Sequence, residues 1–354
     1  MYGNCVLAAP TGNQVAPALE RRDGLPSYVK DYAPVLWLAR DETFFPADLA
    51  QFLDHVTPTT ENRSHPELAR PVTLDSLDDL NLSNGTIFLS ANSTITELPT
   101  WFYGQRPEFT GEVQNATSCA VVVVDKGSGI EDAFYFYFYA YNEGNHVDPF
   151  GDLDLGGFGD HLADWEHTMV RFHNGVPYAV WLSQHGFGQA FHYKTMEKEG
   201  LRPVAYVGRG THANWPTPGN HDHFRHGYGV RTPILLTDHA SRGVRYDPLR
   251  SAWFYNYDVE TREFSAYDTD TPVNWLSFTG HWGDARFKTT FSSQKILWHH
   301  AKYTTGPKGP ISKKLDRPKV CQQDNFFCAV LVQCFRCPNY SSDRGVVASV
   351  GYLT

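Results

Sequence analysis

Residues 133–141 read Ala-Phe-Tyr-Phe-Tyr-Phe-Tyr-Ala-Tyr. This strict period of two is the signature of a β-strand, because successive strand side chains point to opposite faces. Phe134, Phe136 and Phe138 lie on one face and Tyr135, Tyr137 and Tyr139 on the other. The Phe face is core. The Tyr face is core with hydroxyls reaching polar partners, or it lines a pocket. Aromatic residues make up 14% of the chain, with 29 Gly and 22 Pro, which suits many strands joined by tight turns. With 354 residues, 41% of them hydrophobic, there is material for one large all-β domain or two smaller ones. Charged residues are only 19%, which excludes a disordered chain, and the net charge of −9 argues against nucleic acid as a partner. No apolar run reaches the roughly 18 residues that a transmembrane helix needs.

A hairpin follows the aromatic strand. The segment Asp164–Phe172 runs into His173-Asn174-Gly175-Val176, and Asn-Gly is a strong two-residue turn signal. Val176–His185 is the return strand. With that turn, His185 lies opposite Asp164 and Ser183 opposite Glu166, and opposed residues share a face. Asp164 and Glu166 share that face by alternation, with His161 just before the strand and His167 on the reverse side as a core histidine. Two carboxylates on one face repel unless a positive charge sits between them. A divalent cation held by oxygen ligands supplies it, so calcium or magnesium is expected, with manganese or zinc as alternatives.

Elsewhere, Tyr28–Leu38 predicts an opening strand, residues 46–55 a short helix, and residues 57–118 a polar surface run rich in turns. Val121–Asp125, Leu201–Gly208, Arg245–Asp258 and Glu263–Tyr267 predict further strands. The stretch from Gly208 to His223 is too rich in Gly, Pro and His for a regular element. His212 there sits in a Gly-flanked loop after a strand, where site residues commonly live. His221, Asp222 and His223 form either a second ligand group or a solvated loop, the latter being preferred. Thr304–Lys314 reads as a linker into a cysteine-rich tail.

The expected organisation is a leader, pro-segment or disordered arm over 1–25, a β-sandwich over 26–315 and a Cys-rich tail over 316–354. Cys5-Val6-Leu7-Ala8-Ala9 resembles the end of a signal peptide, and Arg21-Arg22-Asp23 a dibasic cleavage site. Sequons start at Asn62, Asn81, Asn84, Asn92, Asn115 and Asn339. Cys321, Cys328, Cys334 and Cys337 crowd the tail, and disulfides fit them better than a zinc ribbon. Cys119 pairs with the tail or stays buried. Together these imply the secretory pathway and a secreted or vacuolar location.

The ordered motifs Phe138-Tyr139-Ala140-Tyr141-Asn142-Glu143-Gly144, Gly159-Asp160-His161, Asp164-Trp165-Glu166-His167, Ser183-Gln184-His185, Gly210-Thr211-His212-Ala213-Asn214-Trp215-Pro216 and His281-Trp282-Gly283-Asp284 resemble the fungal family of vacuolar protein sorting-associated protein sixty-two and its plant relatives. That resemblance spans roughly residues 28–300 and implies a part in delivery to the vacuole. More distantly, the hairpin resembles the secreted necrosis-inducing proteins of plant pathogens. Their Gly-His-x-His-Asp-Trp-Glu motif sits on a β-sandwich and surrounds a divalent cation with its first His, its Asp, its Glu and an upstream Asp. His161, Asp164 and Glu166 match that spacing, Trp165 matches too, and the upstream ligand falls at Asn142 or Glu143. The second motif histidine is replaced by Ala163, and Gly-His has become Gly-Asp-His. Those departures bear on the toxin activity more than on the metal. The resemblance implies recognition of a sphingolipid sugar head group.

The fold expected is therefore a mainly antiparallel β-sandwich with long loops and a disulfide-stapled C-terminal tail. The function expected is binding of a glycan, glycolipid or small molecule through the cation, with Ser183, Trp215 and His281 as substrate-binding residues and peripheral membrane contact compatible. The alternative is a metal-dependent hydrolase, lyase or cyclase in which His185 or His212 is the general base. Nucleophilic chemistry is disfavoured, because no Gly-x-Ser-x-Gly motif occurs and the cysteines read as structural.

Overall fold

A computed structural model of the chain describes residues 24–61, 71–83, 85–146, 157–222, 237–297, 299–323 and 328–332. The expected leader or arm, Cys5, Cys334, Cys337, Asn62, Asn84, Asn339 and His223 lie outside the described residues.

The fold is mainly β. Thirteen strands form its two principal sheets: β1 (Val35–Leu38), β2 (Cys119–Asp125), β3 (Ile130–Asn142), β4 (His161–His173), β5 (Val176–Gln184), β6 (Phe187–His192), β7 (Lys198–Glu199), β8 (Arg202–Val207), β9 (Asn214–Trp215), β10 (Val244–Tyr246), β11 (Ala252–Tyr257), β12 (Phe264–Ala266) and β13 (Val330–Leu331). The larger sheet has the order β12-β11-β2-β3-β4-β5-β6-β13, and the smaller the order β7-β8-β1-β10, with β9 also pairing with β8. Most pairings are antiparallel. Those of β1 with β8, β11 with β2 and β6 with β13 are parallel.

β3 is central and buried on both faces. Its Tyr side packs against the smaller sheet, with Leu36, Ala205, Val207 and Tyr246 joining Tyr135, Tyr137 and Tyr139 in one apolar cluster. Two of the three hydroxyls find partners there: Tyr135 donates to Val29 O at 2.5 Å, and Tyr137 and Thr168 share a bond of 2.5 Å. This is the sandwich. The Phe side is covered by an irregular layer instead of a sheet. Phe52 and Trp282 meet Phe138 edge-on at 5.0 and 5.5 Å, a geometry that aromatic quadrupoles favour.

That layer corrects one expectation. The described part of residues 57–118 is not a surface run, because Leu74, Leu77, Leu80, Ile87, Leu89, Ile95 and Phe102 are buried over the Phe face. Their irregular spacing hides the burial, since they follow neither strand nor helix period. Two further expectations shift. Tyr28–Leu38 opens as a helical turn, α1 (Ser27–Asp31), and only Val35–Leu38 is strand. The Val29 carbonyl freed at the turn is the one that caps Tyr135. Within the His-rich stretch, Gly219–Asp222 pairs with Thr237–Ala240 as a short ladder. The expected short helix is α2 (Leu49–Leu53), capped by Asp48 accepting from Gln51 N at 2.8 Å.

The stretch 304–314 is tied to the body, with Thr304 N donating to Asp160 O at 2.8 Å and Gly306 N to Asp284 O at 3.0 Å. Beyond it, three cations gather the chain's carbonyls. Arg171 grips Asp132 through two 2.7 Å bonds and also donates to Pro318 O at 2.8 Å. Arg317 lies over the rings of Phe134 and Trp181 at 4.8 and 5.8 Å. Lys126 reaches Leu315 O at 2.8 Å. A disulfide joins Cys321 to Cys328, and Cys119 is a buried free thiol.

Asp132 and Arg171 are both buried, so removing one strands the other charge. Asp132→Ala is expected to lower stability by about 3–5 kcal/mol in urea unfolding. Asp132→Leu combined with Arg171→Met is expected to recover most of that loss. A double variant as unstable as the single one contradicts the pairing.

Candidate functional site

Strand alternation places the two carboxylates. In the β3–β4 ladder, Asp164 lies opposite Tyr139 and Glu166 opposite Tyr137, so both carboxylates project between the two sheets. Both are buried. His167 takes the other face, where its ring lies 5.2 Å from that of Phe136 and its Nε2 sits 3.2 Å from Arg317. It is the core histidine that alternation predicts.

The expected cross-strand partners change. The Asn174–Gly175 turn forms, with His173 opposite Val176 and Phe172 opposite Pro177. A bulge between Arg171 and Phe172 then shifts the register by one, so that Thr168 faces Leu182. Ser183 and His185 are therefore not directly opposite Glu166 and Asp164. The Ser183 hydroxyl still donates to Glu166 Oε2 and accepts from His167 N at 2.8 Å. His185 adopts a left-handed φ of 58°, and its backbone N–H donates to Glu166 Oε1 at 3.2 Å.

His185 sends its ring elsewhere. Its Nε2 lies 3.2 Å from Asp238 Oδ2, and Asp238 also accepts from Thr211 Oγ1 at 2.5 Å and Trp215 Nε1 at 3.2 Å. Asp164 is instead held by His212, whose Nδ1 is 3.0 Å from Asp164 Oδ2. The other ring nitrogen of His212 lies 3.0 Å from Phe44 O, and the ring stacks on Tyr139 at 3.6 Å. His212 is fully buried with both nitrogens engaged, so it works as a strut under the site. The sequence shows no spacing motif for Asp238, and its role becomes visible only in the fold.

Burial and neighbours drive the two acids apart. For Asp164, burial favours the neutral form, but the bond from His212 and the nearby His161 outweigh it and hold the carboxyl below its usual range. For Glu166, burial and the adjacent Asp164 act together and push it up to about 7. His161 is pushed down by burial. His212 and His185 are raised: burial opposes their protonation, and the carboxylates of Asp164 and Asp238, respectively, outweigh it.

Beside this cluster opens a cavity of about 410 Å³ whose walls include Asn142, His161, Gln184, His185, Thr211 and Trp215. His161 Nδ1 lies 2.6 Å from Ala163 O, and Asn142 Nδ2 donates to Gly159 O at 3.1 Å. Glu143 pairs with Arg209 at 3.0 Å. His281 is not among the wall residues. It stacks on Phe88 at 4.9 Å and contacts Gly306 O at 2.6 Å. Among the described residues, no three His, Cys, Asp or Glu side chains converge as a ready-made coordination sphere. Nor is any described helix long and apolar enough to cross a membrane.

Two packed sheets enclosing a buried acid–histidine cluster beside an open cavity define a β-sandwich protein with a candidate ligand site. Residues 11–301 match the family described as Vacuolar protein sorting-associated protein 62, and the chain belongs to that family. It is 33% identical over 342 residues to Vacuolar protein sorting-associated protein 62 of Saccharomyces cerevisiae, covering 86% of this chain and 69% of the relative. It is 30% identical over 331 residues to TDA6 of the same organism, a protein provisionally named for vacuolar protein sorting, covering 84% and 68%. The crystal structure of Necrosis and Ethylene inducing Protein 2, from the causal agent of cocoa's Witches Broom disease, aligns with 14% identity and a TM-score of 0.24 over 52% of this chain and 62% of that one.

Behind Trp215 of the cavity wall lies a titratable group. His221 was expected in a solvated loop, but it is buried with its ring flat on Trp215 at 4.2 Å and Nε2 2.9 Å from Thr217 O. Burial pushes its pKa down to about 4. An unfolded histidine takes its proton near pH 6.5, so below about 6.5 the unfolded state binds more protons than the folded one. The stability from His221 is complete above that pH and is lost as the pH falls toward 4, on the order of 3 kcal/mol in all. His221→Phe keeps the stack and removes the titration. The stability difference between pH 7 and pH 4.5 should narrow in this variant, and an unchanged difference would refute the assignment.

Proposed function

We propose that this chain is a ligand-binding protein of the secretory route to the vacuole. Its cavity takes a glycan or glycolipid head group beside a divalent cation held by His161, Asp164 and Glu166. The observation that carries this reading is the Asp164–Glu166 pair, two acids buried side by side, with Glu166 bonded to the backbone of His185 in the wall of a cavity lined mainly by aromatic, amide, hydroxyl and imidazole groups. Buried like charges call for a compensating cation, and Glu166 is pushed up to about 7 without one. Two carboxylates and an imidazole suit a hard or borderline divalent ion, with calcium or magnesium favoured and Asn142 or Glu143 as a further oxygen ligand. Ser183 and His212 already hold Glu166 and Asp164, so the acids keep their places between the sheets. When bound, such an ion would polarise and orient ligand hydroxyls. Passage through the secretory route is supported by the Cys321–Cys328 disulfide and by the exposed sequon residues Asn81, Asn92 and Asn115.

A second reading, a metal-dependent enzyme with His185 as general base, is favoured by the carboxylate of Asp238 that orients this histidine at the cavity wall. His212 enters that reading only as the holder of Asp164.

Elemental analysis of purified protein is expected to find a divalent metal that is lost at least tenfold in Asp164→Asn and in Glu166→Gln. Equal metal content in both variants would sink the cation. A glycan and glycolipid array, run with and without chelator, is expected to show chelator-sensitive binding without turnover. Turnover that vanishes in His185→Ala, with metal retained, would select the enzyme.

A further inference from the structure

Three sequons have their Asn within the described residues, and all three side chains are exposed: Asn81, Asn92 and Asn115. Exposure does not separate them. The hydrogen bonds of their amides do.

Asn81 lies in the 3-10 helix Leu77–Leu82 and ties it to a second segment of the layer over the Phe face. Its Nδ2 donates to Ser277 O at 2.8 Å, and its Oδ1 accepts from Thr279 N at 2.9 Å and Thr279 Oγ1 at 2.8 Å. An acceptor at one end and donors at the other fix which way the amide lies. One residue separates Ser277 O from Thr279 N, so both bonds leave the amide on one side, where the N–H beside Oδ1 points. A sugar on Nδ2 takes that same place. The substituent of a secondary amide sits on the oxygen's side, as Cα does across a trans peptide.

The other two amides keep Nδ2 open. Asn92 uses only its oxygen, which accepts from Thr57 Oγ1 at 2.6 Å, while its backbone N–H donates to His55 O at 2.9 Å. Asn115 sits in a turn with a left-handed φ of 50°, and its side chain makes no hydrogen bond among the described residues. The backbone of its sequon is nevertheless fixed, with Thr117 N donating to Asp48 Oδ2 at 2.7 Å and Thr117 O accepting from Leu49 N at 3.1 Å.

We propose that Asn92 and Asn115 are N-glycosylation sites of this chain and that Asn81, despite its sequon, is not: its amide is a brace that stays unmodified. This rests on passage through the secretory route, as proposed above. The donor is an oligosaccharide linked to a lipid pyrophosphate. The bond from its anomeric carbon to the phosphate oxygen breaks, that carbon bonds to Nδ2, and Nδ2 loses one proton as the lipid pyrophosphate leaves. Transfer precedes folding, so the fold acts as the filter. A sugar on Asn81 removes the bond to Ser277 O and holds the two segments apart, and a chain so modified does not reach this structure. Sugars on Asn92 and Asn115 displace no bond made by Nδ2.

The full chain, purified from the cells that produce it, is treated with peptide N-glycosidase in heavy-oxygen water and mapped by peptide mass spectrometry. Each Asn that carried a sugar becomes an Asp labelled with heavy oxygen. The expected map labels Asn92 and Asn115 and leaves Asn81 unlabelled. Two variants separate the sequon from the brace. Ser83→Ala removes the sequon and keeps the amide, and is expected to leave both the glycan mass and the urea midpoint unchanged. Asn81→Asp removes the sequon and the Nδ2 donor, and is expected to leave the glycan mass unchanged and lower the midpoint. Label at Asn81 in folded protein, a fall in glycan mass in Ser83→Ala, or an unchanged midpoint in Asn81→Asp overturns the brace. An unlabelled Asn92 or Asn115 beside label at any other sequon overturns that site while the secretory route stands. No label at any of the six sequons overturns both readings together.

Discussion

The structure depends on β3 being buried on both faces. A strand with phenylalanines on one side and tyrosines on the other has no face that water solvates well, so each side demands a cover of its own. The Tyr side is met by a second sheet, where hydroxyls reach Val29 O and Thr168 without leaving the apolar interior. The Phe side is met by an irregular layer rich in aromatic rings. Because β4 pairs with β3 along most of its length, whatever alternates onto the Tyr side of β4 is carried between the sheets as well. Asp164 and Glu166 are carried there in this way.

Placing two acids in that interlayer creates the electrostatic problem that organises the site. The fold answers it unequally. Asp164 receives a histidine that is stacked, fully buried and tied at its far nitrogen to Phe44 O. Glu166 receives a hydroxyl and a backbone N–H, which satisfy its oxygens without supplying a full charge. The two carboxyls therefore titrate in opposite directions from similar depth. Asp238 is a third buried acid, and it draws His185, Thr211 and Trp215 together at the cavity wall. His185, Thr211 and Trp215 are thus oriented by one acid standing behind them.

Much of the frame was legible in the residues. The alternation in β3, the Asn174–Gly175 turn and the burial of His167 away from the acids all follow from local backbone geometry. The bulge between Arg171 and Phe172 was not legible, because an extra residue in a strand leaves no mark in a pattern that is apolar on both faces. Residues 57–118 were misleading for a related reason. Their buried leucines, isoleucines and phenylalanine cover another element's surface and need no period of their own. The opening segment departs from strand at Tyr28, where a helical turn presents the carbonyl that Tyr135 needs.

The sequence by itself determined which side chains share a strand face, and so it set Asp164 and Glu166 together and His167 apart. That follows because the side-chain period of a strand is a property of the backbone and needs no partner. Only the tertiary structure decided who answers those acids. His212 meets Asp164 across 48 residues of chain, and Asp238 meets His185 across 53. Contacts of that separation arise from how two sheets and their loops pack, which no local spacing encodes.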